Sequence, residues 1–127
     1  MKNIIILSEN GTSNLEAPLK TVEDYSLSVK KVDEIKEAES FNPDLIILDA
    51  DKNTTKDLLA RNKIPVPLLI VSDEIIKDLF VRAEAYDYIL NSANTDELKI
   101  RVANMLKIKH LREEINRRNG KWQEQQN

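Results

Sequence analysis

Short apolar runs recur along the chain at residues 4–7, 45–48, 68–71 and 86–90, and turn-forming or polar residues bound each of them. Runs of this length, separated by stretches long enough for a helix, are typical of buried strands in a parallel sheet. Residues 26–29 instead alternate serine with leucine and valine, which is the pattern of a half-exposed edge strand. The chain is therefore predicted to form five strands.

Between the strands, apolar residues recur at helical spacing. The five predicted helices are marked by Leu15, Leu19 and Val22; by Val32, Ile35 and Ala38; by Leu58 and Leu59; by Ile76, Leu79, Phe80 and Ala83; and by Leu98, Val102, Met105 and Leu106. Ser13 or Asn14 is a candidate N-cap of the first helix, and Asp73 is one for the fourth. Asn94 and Glu97 have the spacing of a capping box at the start of the fifth.

This alternation of strands and helices predicts an open, parallel, doubly wound α/β sheet with right-handed crossover connections. In such sheets ligands bind beyond the carboxyl ends of the strands. The polar residues that follow the predicted strands at that edge are Ser8, Glu9, Asp49, Asp51, Ser72 and Asn91. These side chains are the candidates for chemistry.

Apolar residues continue beyond the predicted core in the last helix, at Ile108, Leu111, Ile115 and Trp122. One small sheet cannot cover a helix of this length, and a large apolar side chain is costly to leave exposed. We therefore divide the chain into a core domain of residues 1–107 and an extended helix with a polar tail over residues 108–127. The extension is expected to be a dimerising helix or a connector to another domain, and the alternative is a solvated helix with a few stray apolar residues.

Composition excludes several kinds of site. The 127 residues include no cysteine, one histidine (His110) and two glycines (Gly11 and Gly120). Disulfides, thiol nucleophiles, cysteine-ligated metals and histidine clusters are therefore excluded, and neither a GxGxxG nor a Walker phosphate loop can be assembled. No apolar run approaches the roughly 18 residues of a membrane span or suits a signal peptide. We expect a cytoplasmic protein without a membrane partner.

The charge is unevenly distributed. Residues 99–127 hold eight Lys or Arg against three Glu, so this part carries +5 and the rest of the chain −8, for a net charge of −3. A basic helix of this kind is more often a solvated face or the partner of an acidic surface than a nucleic-acid site. We do not expect nucleic acid as a partner of this chain.

Three segments carry a resemblance to a known family. Residues 42–49, Asn-Pro-Asp-Leu-Ile-Ile-Leu-Asp, resemble the third-strand signature of bacterial response-regulator receiver domains. Residues 64–72 resemble the fourth-strand segment that ends in a switch Ser or Thr, and residues 85–89 with 95–98 resemble the fifth strand and the start of the fifth helix. The resemblance implies a flavodoxin-like five-stranded parallel sheet of order 2-1-3-4-5 with five helices, the fifth extended.

The resemblance also implies a phosphorylation switch. Asp49 is then the phosphoacceptor position, Ser72 the switch hydroxyl and Tyr88 the switch aromatic. A weakly bound Mg²⁺ is expected among Glu9, Asp49 and the main-chain carbonyl of Asp51, because a hard cation prefers oxygen ligands and offsets the charge of two meeting anions. Each role has a structural alternative: Asp49 and Ser72 as caps of the following turn or helix, and Tyr88 as a packed aromatic.

The departures from the family pattern fall on this site. Ser8 stands where the family has its first acidic residue, and Asn91 with Ser92 stands where it has a lysine and a proline. The loop after Asp49 is shortened and lacks the family's Met-Pro and glycine. Replacing the lysine by a neutral amide removes a charge-assisted hydrogen bond worth about 1.5–3 kcal/mol. We therefore expect a degenerate receiver, or pseudo-receiver.

A second family also matches in part. Asp49-Ala50-Asp51 resembles the Asp-x-Asp motif of haloacid-dehalogenase-like phosphohydrolases, in which the first aspartate is the nucleophile and the second the acid/base. That motif usually lies near the start of a larger catalytic domain, whereas two predicted strand–helix units precede it here. Release of phosphate from a generic monoester would favour this alternative.

The leading interpretation is a regulatory two-component receiver that is not an enzyme, with at most self-phosphorylation and dephosphorylation on Asp49. Its expected partners are a sensor histidine kinase or another signalling protein, and a second copy of the chain. The expected homodimer uses the face of the fourth helix, fifth strand and fifth helix together with the extended fifth helix. A fully competent Mg²⁺-dependent phosphoacceptor that controls an unseen output domain is the alternative.

Overall fold

One parallel sheet forms the centre of the molecule. The computed structural model describes residues 1–77, 79–83 and 85–126, with the backbone alone at residues 109, 112 and 119–126. The strands are β1 (Lys2–Ser8), β2 (Tyr25–Lys31), β3 (Leu45–Asp49), β4 (Leu68–Ser72) and β5 (Tyr86–Leu90). All neighbours pair in parallel, in the order β2-β1-β3-β4-β5. The five predicted strands and the predicted order are confirmed.

Four α-helices connect or follow the strands within the described residues. They are α1 (Glu16–Lys20), α2 (Ile35–Ser40), α3 (Lys52–Arg61) and α4 (Thr95–Gln126), and a 3₁₀ turn at Val32–Glu34 leads into α2. The backbone N–H of Glu97 donates to Oδ1 of Asn94 at 2.8 Å, so the predicted side-chain cap of the last helix is present. No helix among the described residues combines the length and the apolarity that crossing a bilayer requires.

The sheet is buried on both faces, and successive strand residues alternate between two apolar clusters. The first cluster joins Ile4, Ile6, Leu45, Ile47, Leu69 and Val71 to Leu19 of α1 and to Leu98, Val102, Met105 and Leu106 of α4. The second joins Ile5, Leu7, Ile46, Leu48, Leu68 and Ile70 to Ile35 and Ala38 of α2 and Leu59 of α3. Burial on both faces is why β1, β3 and β4 are continuous apolar runs.

The fourth helix predicted from Ile76, Leu79, Phe80 and Ala83 is wrong: the described residues between β4 and β5 form no helix. Leu79, Val81 and Ala83 pack partly buried against the second cluster, whereas Phe80 between them is 68% exposed. Ile64 forms a parallel bridge with Ala83, and its N–H donates to the carbonyl of Arg82 at 2.7 Å. This long-range pairing fixes residues 82 and 83 beside Ile64, and the predicted five helices become four among the described residues.

The last helix runs through residue 107 without a break. Its 32 residues make a rod of about 48 Å. Ile108 packs partly against the first cluster, whereas Leu111 and Ile115 are 54% and 53% exposed. The side chain of Trp122 lies outside the described residues. The predicted division between residues 107 and 108 stays a prediction.

Candidate functional site

The carboxyl ends of four strands border one cleft. Ser8 is paired with Asp49 across β1 and β3, and Ser72 with Leu90 across β4 and β5. The cleft has a volume of about 320 Å³ and is lined by Ser8, Glu9, Asn10, Thr12, Asp49, Ala50, Asp51, Asp73 and Asn91. The fold thus brings together five of the residues proposed from the sequence: Ser8, Glu9, Asp49, Asp51 and Asn91.

The half-buried carboxylate of Asp49 is held by a residue from a distant loop. The Ser13 hydroxyl donates to Oδ2 of Asp49 at 2.6 Å, and Ser13 Oγ accepts the backbone N–H of Leu15 at 3.1 Å. A hydrogen bond to an ionised acceptor is stronger than a neutral one, so this contact orients the carboxylate. The sequence suggested only a helix-capping role for Ser13, because its distance from Asp49 depends on the loop conformation.

Glu9 and Asp51 are linked to each other and to the start of α3. Oε1 of Glu9 accepts the backbone N–H of Asp51 at 3.1 Å, and Oδ1 of Asp51 accepts the backbone N–H of Thr54 at 2.8 Å. The pKa of Asp51 is lowered, chiefly by the hydrogen bond from the Thr54 backbone and next by that from its side chain. The Asp51 carboxylate is therefore an ionised N-cap of α3.

The donor atoms at the predicted metal site are of the kind that Mg²⁺ prefers. Two carboxylates, Glu9 and Asp49, and the Asp51 carbonyl are oxygen ligands, and each carboxylate already accepts a protein hydrogen bond. Among the described residues, no group of three His, Cys, Asp or Glu is placed so that it could hold a metal ion. If bound, Mg²⁺ would be held by these two carboxylates, that carbonyl and water, and its binding stays a prediction.

The two predicted switch residues do not line the cleft. Ser72 is 1% exposed and its hydroxyl donates to Oδ1 of Asp73 at 3.2 Å. The hydroxyl of Tyr88 donates to the backbone carbonyl of Glu74, while its partly buried ring packs against the second cluster. Their roles as switch hydroxyl and switch aromatic stay predictions.

Asp73, which the sequence suggested only as a helix cap, lines the cleft beside Asn91. Asn91 follows β5, and its backbone N–H donates to the carbonyl of Ser72 at 2.8 Å. Lys52 directly follows Asp51 in sequence but pairs with Glu74, Nζ to Oε1 at 3.6 Å. None of the nine described residues that line the cleft is Lys or Arg, so the lining is acidic.

Ser8 is the most buried of the described residues that line the cleft. It is 3% exposed, and its hydroxyl has no hydrogen-bond partner among the described residues. Buried hydroxyl groups are normally paired in folded proteins, so this group is an unsatisfied donor and acceptor beneath the surface of the cleft.

A solved structure with a similar fold is the N-terminal domain of a response regulator/sensory box/GGDEF three-domain protein from Carboxydothermus hydrogenoformans. It is 18% identical to this chain with a TM-score of 0.59, and the match covers 87% of this chain and 98% of that one. No family model and no curated protein matches the sequence. At this identity the similarity shows the fold, and it confirms the flavodoxin-like architecture that the sequence predicted.

Proposed function

We propose that the chain is a degenerate receiver domain of a two-component or related signalling system, which acts by binding other proteins and not as an enzyme. The observation that supports this most directly is the composition of one cleft. Glu9, Asp49 and Asp51 meet there at the strand ends of a receiver-like fold, but the lining has Asn91 where the family has a lysine.

Electrostatics disfavours phosphoryl transfer at this cleft. An incoming phosphate dianion would meet the carboxylates without a fixed cation in the described lining, and like charges repel strongly where solvent is partly excluded. The Ser13 hydroxyl already occupies one oxygen of Asp49. Any acceptance therefore depends on a bound cation held by few ligands.

The decisive experiment is incubation with acetyl phosphate and Mg²⁺, followed by intact mass measurement of the wild type and of Asp49→Asn. A degenerate receiver gives no phosphoryl adduct and no response to beryllofluoride. Asn91→Lys should restore acceptance, by about ten- to 150-fold if the lysine contributes a charge-assisted hydrogen bond. One adduct on the wild type that is absent from Asp49→Asn would instead establish the competent phosphoacceptor.

Asp51 is poorly suited to the acid/base role that the phosphohydrolase alternative gives it. A general acid works best with a pKa near the working pH, whereas hydrogen bonds lower the pKa of Asp51 and its carboxylate caps α3. We therefore expect no steady phosphate release from p-nitrophenyl phosphate with Mg²⁺. Sustained release that Asp49→Asn abolishes would support this alternative.

The proposed protein contacts involve the end of the chain. Leu111 and Ile115 are exposed one helical turn apart on α4, so they form an apolar stripe beyond the core. The dimer face expected from the sequence included a fourth helix, and the described residues at that place are not helical. We therefore assign self-association to the α4 extension, and a histidine kinase or another signalling protein stays the expected class of second partner.

Light scattering on the full chain and on a chain ending at Leu106 tests this assignment. The full chain should dimerise and the truncated chain should not. Because truncation removes many residues, Leu111→Ser with Ile115→Ser serves as a milder variant, and Asn104→Ser, exposed on the same helix, is its control. Unchanged association after truncation would rule out the extension as the dimer contact.

A further inference from the structure

The chain contains two Asn-Gly sequences, and the structure places them in different backbone environments. Asn10-Gly11 lies in the loop between β1 and α1, whereas Asn119-Gly120 lies within α4. In such a dipeptide the backbone nitrogen of the glycine can attack the side-chain amide of the asparagine, and glycine has no Cβ to crowd the attack. The same chemistry therefore meets two different geometries in one molecule.

The attacking nitrogen is free in the loop. Gly11 belongs to no helix or strand, and its backbone N–H donates no hydrogen bond to any of the described residues. Its φ of +82° is a left-handed conformation that glycine adopts readily. Asn10 is exposed, so water can take the proton that the Gly11 nitrogen loses during the attack.

The side-chain carbonyl of Asn10 is held by two donors. Its Oδ1 accepts the backbone N–H of Thr12 at 3.1 Å and the Thr12 hydroxyl at 2.9 Å. A hydrogen bond from the backbone two residues ahead folds the amide back over the intervening Gly11 peptide. Donors aimed at a carbonyl oxygen also stabilise the negative charge that develops there when a nucleophile adds. The loop thus holds the reacting groups near each other and polarises the carbonyl.

The backbone of Asn119-Gly120 has a different arrangement. Both residues lie in the helical backbone of α4, which continues to Gln126. In an α-helix the backbone N–H at residue 120 donates to the carbonyl of residue 116, so this nitrogen is already engaged and is directed along the helix axis. The helical Asn-Gly sequence is therefore expected to react slowly.

We propose that Asn10 is a site of intramolecular deamidation, which places a new carboxylate in the cleft. The Gly11 nitrogen forms a bond to Cγ of Asn10 and the Cγ–Nδ2 bond breaks, so that Nδ2 leaves as ammonia with the proton that Gly11 has lost. Water then opens the cyclic imide, to aspartate if it attacks Cγ and to isoaspartate if it attacks the backbone carbonyl. Asn10 lines the cleft, so the acidic residues of the lining increase from four to five.

Mass spectrometry of the full chain tests the proposal. The folded protein is incubated at neutral pH in water enriched in the heavy oxygen isotope and is then digested. Conversion is measured separately at each Asn-Gly sequence, because opening the imide takes one oxygen from water. Asn10 should convert about tenfold faster than Asn119 or more, because only the loop holds its reacting groups together. In the chain unfolded in guanidinium chloride the two should convert at similar rates, and Asn10 should convert no faster there than in the folded chain.

Variants of Thr12 then test the part played by the loop. Thr12→Ala removes one of the two donors to Oδ1 of Asn10 and should slow the conversion about two- to tenfold, the range of a single hydrogen bond. Thr12→Ser keeps the hydroxyl and is the matched control, so it should convert at the wild-type rate. Both substitutions are at an exposed residue, so the folded chain should be retained.

Three results would overturn the inference. They are equal rates at Asn10 and Asn119 in the folded chain, faster conversion of Asn10 after unfolding, and a rate in Thr12→Ala that is no lower than in Thr12→Ser. None of these measurements involves phosphate or a partner protein. The outcome is therefore independent of the proposed function, which a phosphoryl adduct on Asp49 would contradict separately.

Discussion

Two adjacent residues of the segment between β4 and β5 differ in burial, and the difference tests the non-helical arrangement. In the structure Val81 packs partly buried on the second cluster and Phe80 is 68% exposed. In the helix that the spacing of Ile76, Leu79, Phe80 and Ala83 predicts, Phe80 would face the core instead. Val81→Ser should therefore lower the stability more than Phe80→Ser in the observed arrangement. In the helical arrangement Phe80→Ser should lower it more.

The structure sets the size of each effect. Full burial of a valine or phenylalanine contributes about 1.5–3 kcal/mol, so loss of the partly buried Val81 side chain should cost about 1 kcal/mol. Phe80→Ser should stay within about 0.5 kcal/mol of the wild type, as surface substitutions usually do. In a chain of this size 1 kcal/mol corresponds to roughly 4 °C in the unfolding temperature.

Urea unfolding followed by circular dichroism measures both variants against the wild type. The expected result is a lower midpoint for Val81→Ser at an unchanged slope, and little change for Phe80→Ser. If Phe80→Ser loses more stability than Val81→Ser, the segment is helical in solution and the non-helical arrangement is refuted.

Three further predictions concern hydrogen bonds of the site and its surroundings. Asn94→Ala removes the cap of α4 and should lower the free energy of unfolding in urea by about 1 kcal/mol. Asn104, exposed within the same helix, provides the control, since Asn104→Ala should not lower it. Equal losses of stability in the two variants would contradict the cap. Folding lowers the pKa of Asp51, so its stabilisation is present above the unfolded pKa and is lost as the pH falls through the folded one. Asp51→Asn, which keeps an oxygen cap, should flatten the acid limb of stability measured from about pH 7 to about pH 2, and an unchanged slope would argue against this role. Ser13→Ala removes the hydroxyl that donates to Asp49 and should lower the free energy of unfolding by about 1 kcal/mol. Ser13→Thr keeps a hydroxyl and should restore most of that stability. A threonine variant as unstable as the alanine variant would disprove the contact.

The central strands could be predicted because each is a run of apolar residues, and such a run indicates burial. Residues of β1, β3 and β4 are buried on both faces, so nearly every position is apolar. In β2, serine alternates with leucine and valine, and this pattern correctly indicates that one face of the strand is exposed. Periodicity does not encode strand order, however, and the predicted order came from the family resemblance of residues 42–49, 64–72, 85–89 and 95–98.

The failed helix shows where local patterns become ambiguous. Leu79 and Ala83 fit a helical spacing, but with Val81 they also fit the alternation of an extended chain. The pairing of Ile64 with residues 82 and 83 decides between the two, and its partners are nearly twenty residues apart. A short sequence window contains no information about that pairing.

The site was predictable to the extent that the strand ends define it. Ser8, Glu9, Asp49, Asp51 and Asn91 lie within three residues of the ends of predicted strands, and parallel topology places those ends together. Asp73 also follows a strand, but it was interpreted as the cap of a helix that does not form. Ser13 could not be found, because its contact with Asp49 requires a loop conformation that the sequence does not reveal.

The acidic residues of the cleft now have structural roles that do not depend on phosphate. Asp51 caps α3, Glu9 accepts the Asp51 N–H and Asp49 accepts the Ser13 hydroxyl, so their presence is weak evidence for phosphorylation. Residue 91 is more informative about phosphorylation. The backbone N–H of Asn91 bonds to the carbonyl of Ser72, and its neutral side chain leaves the lining without the cation that the family has there. If the charge of the lining limits phosphoryl acceptance, Asn91→Lys should raise it. Unchanged acceptance in this variant would show that the charge of the cleft does not control it.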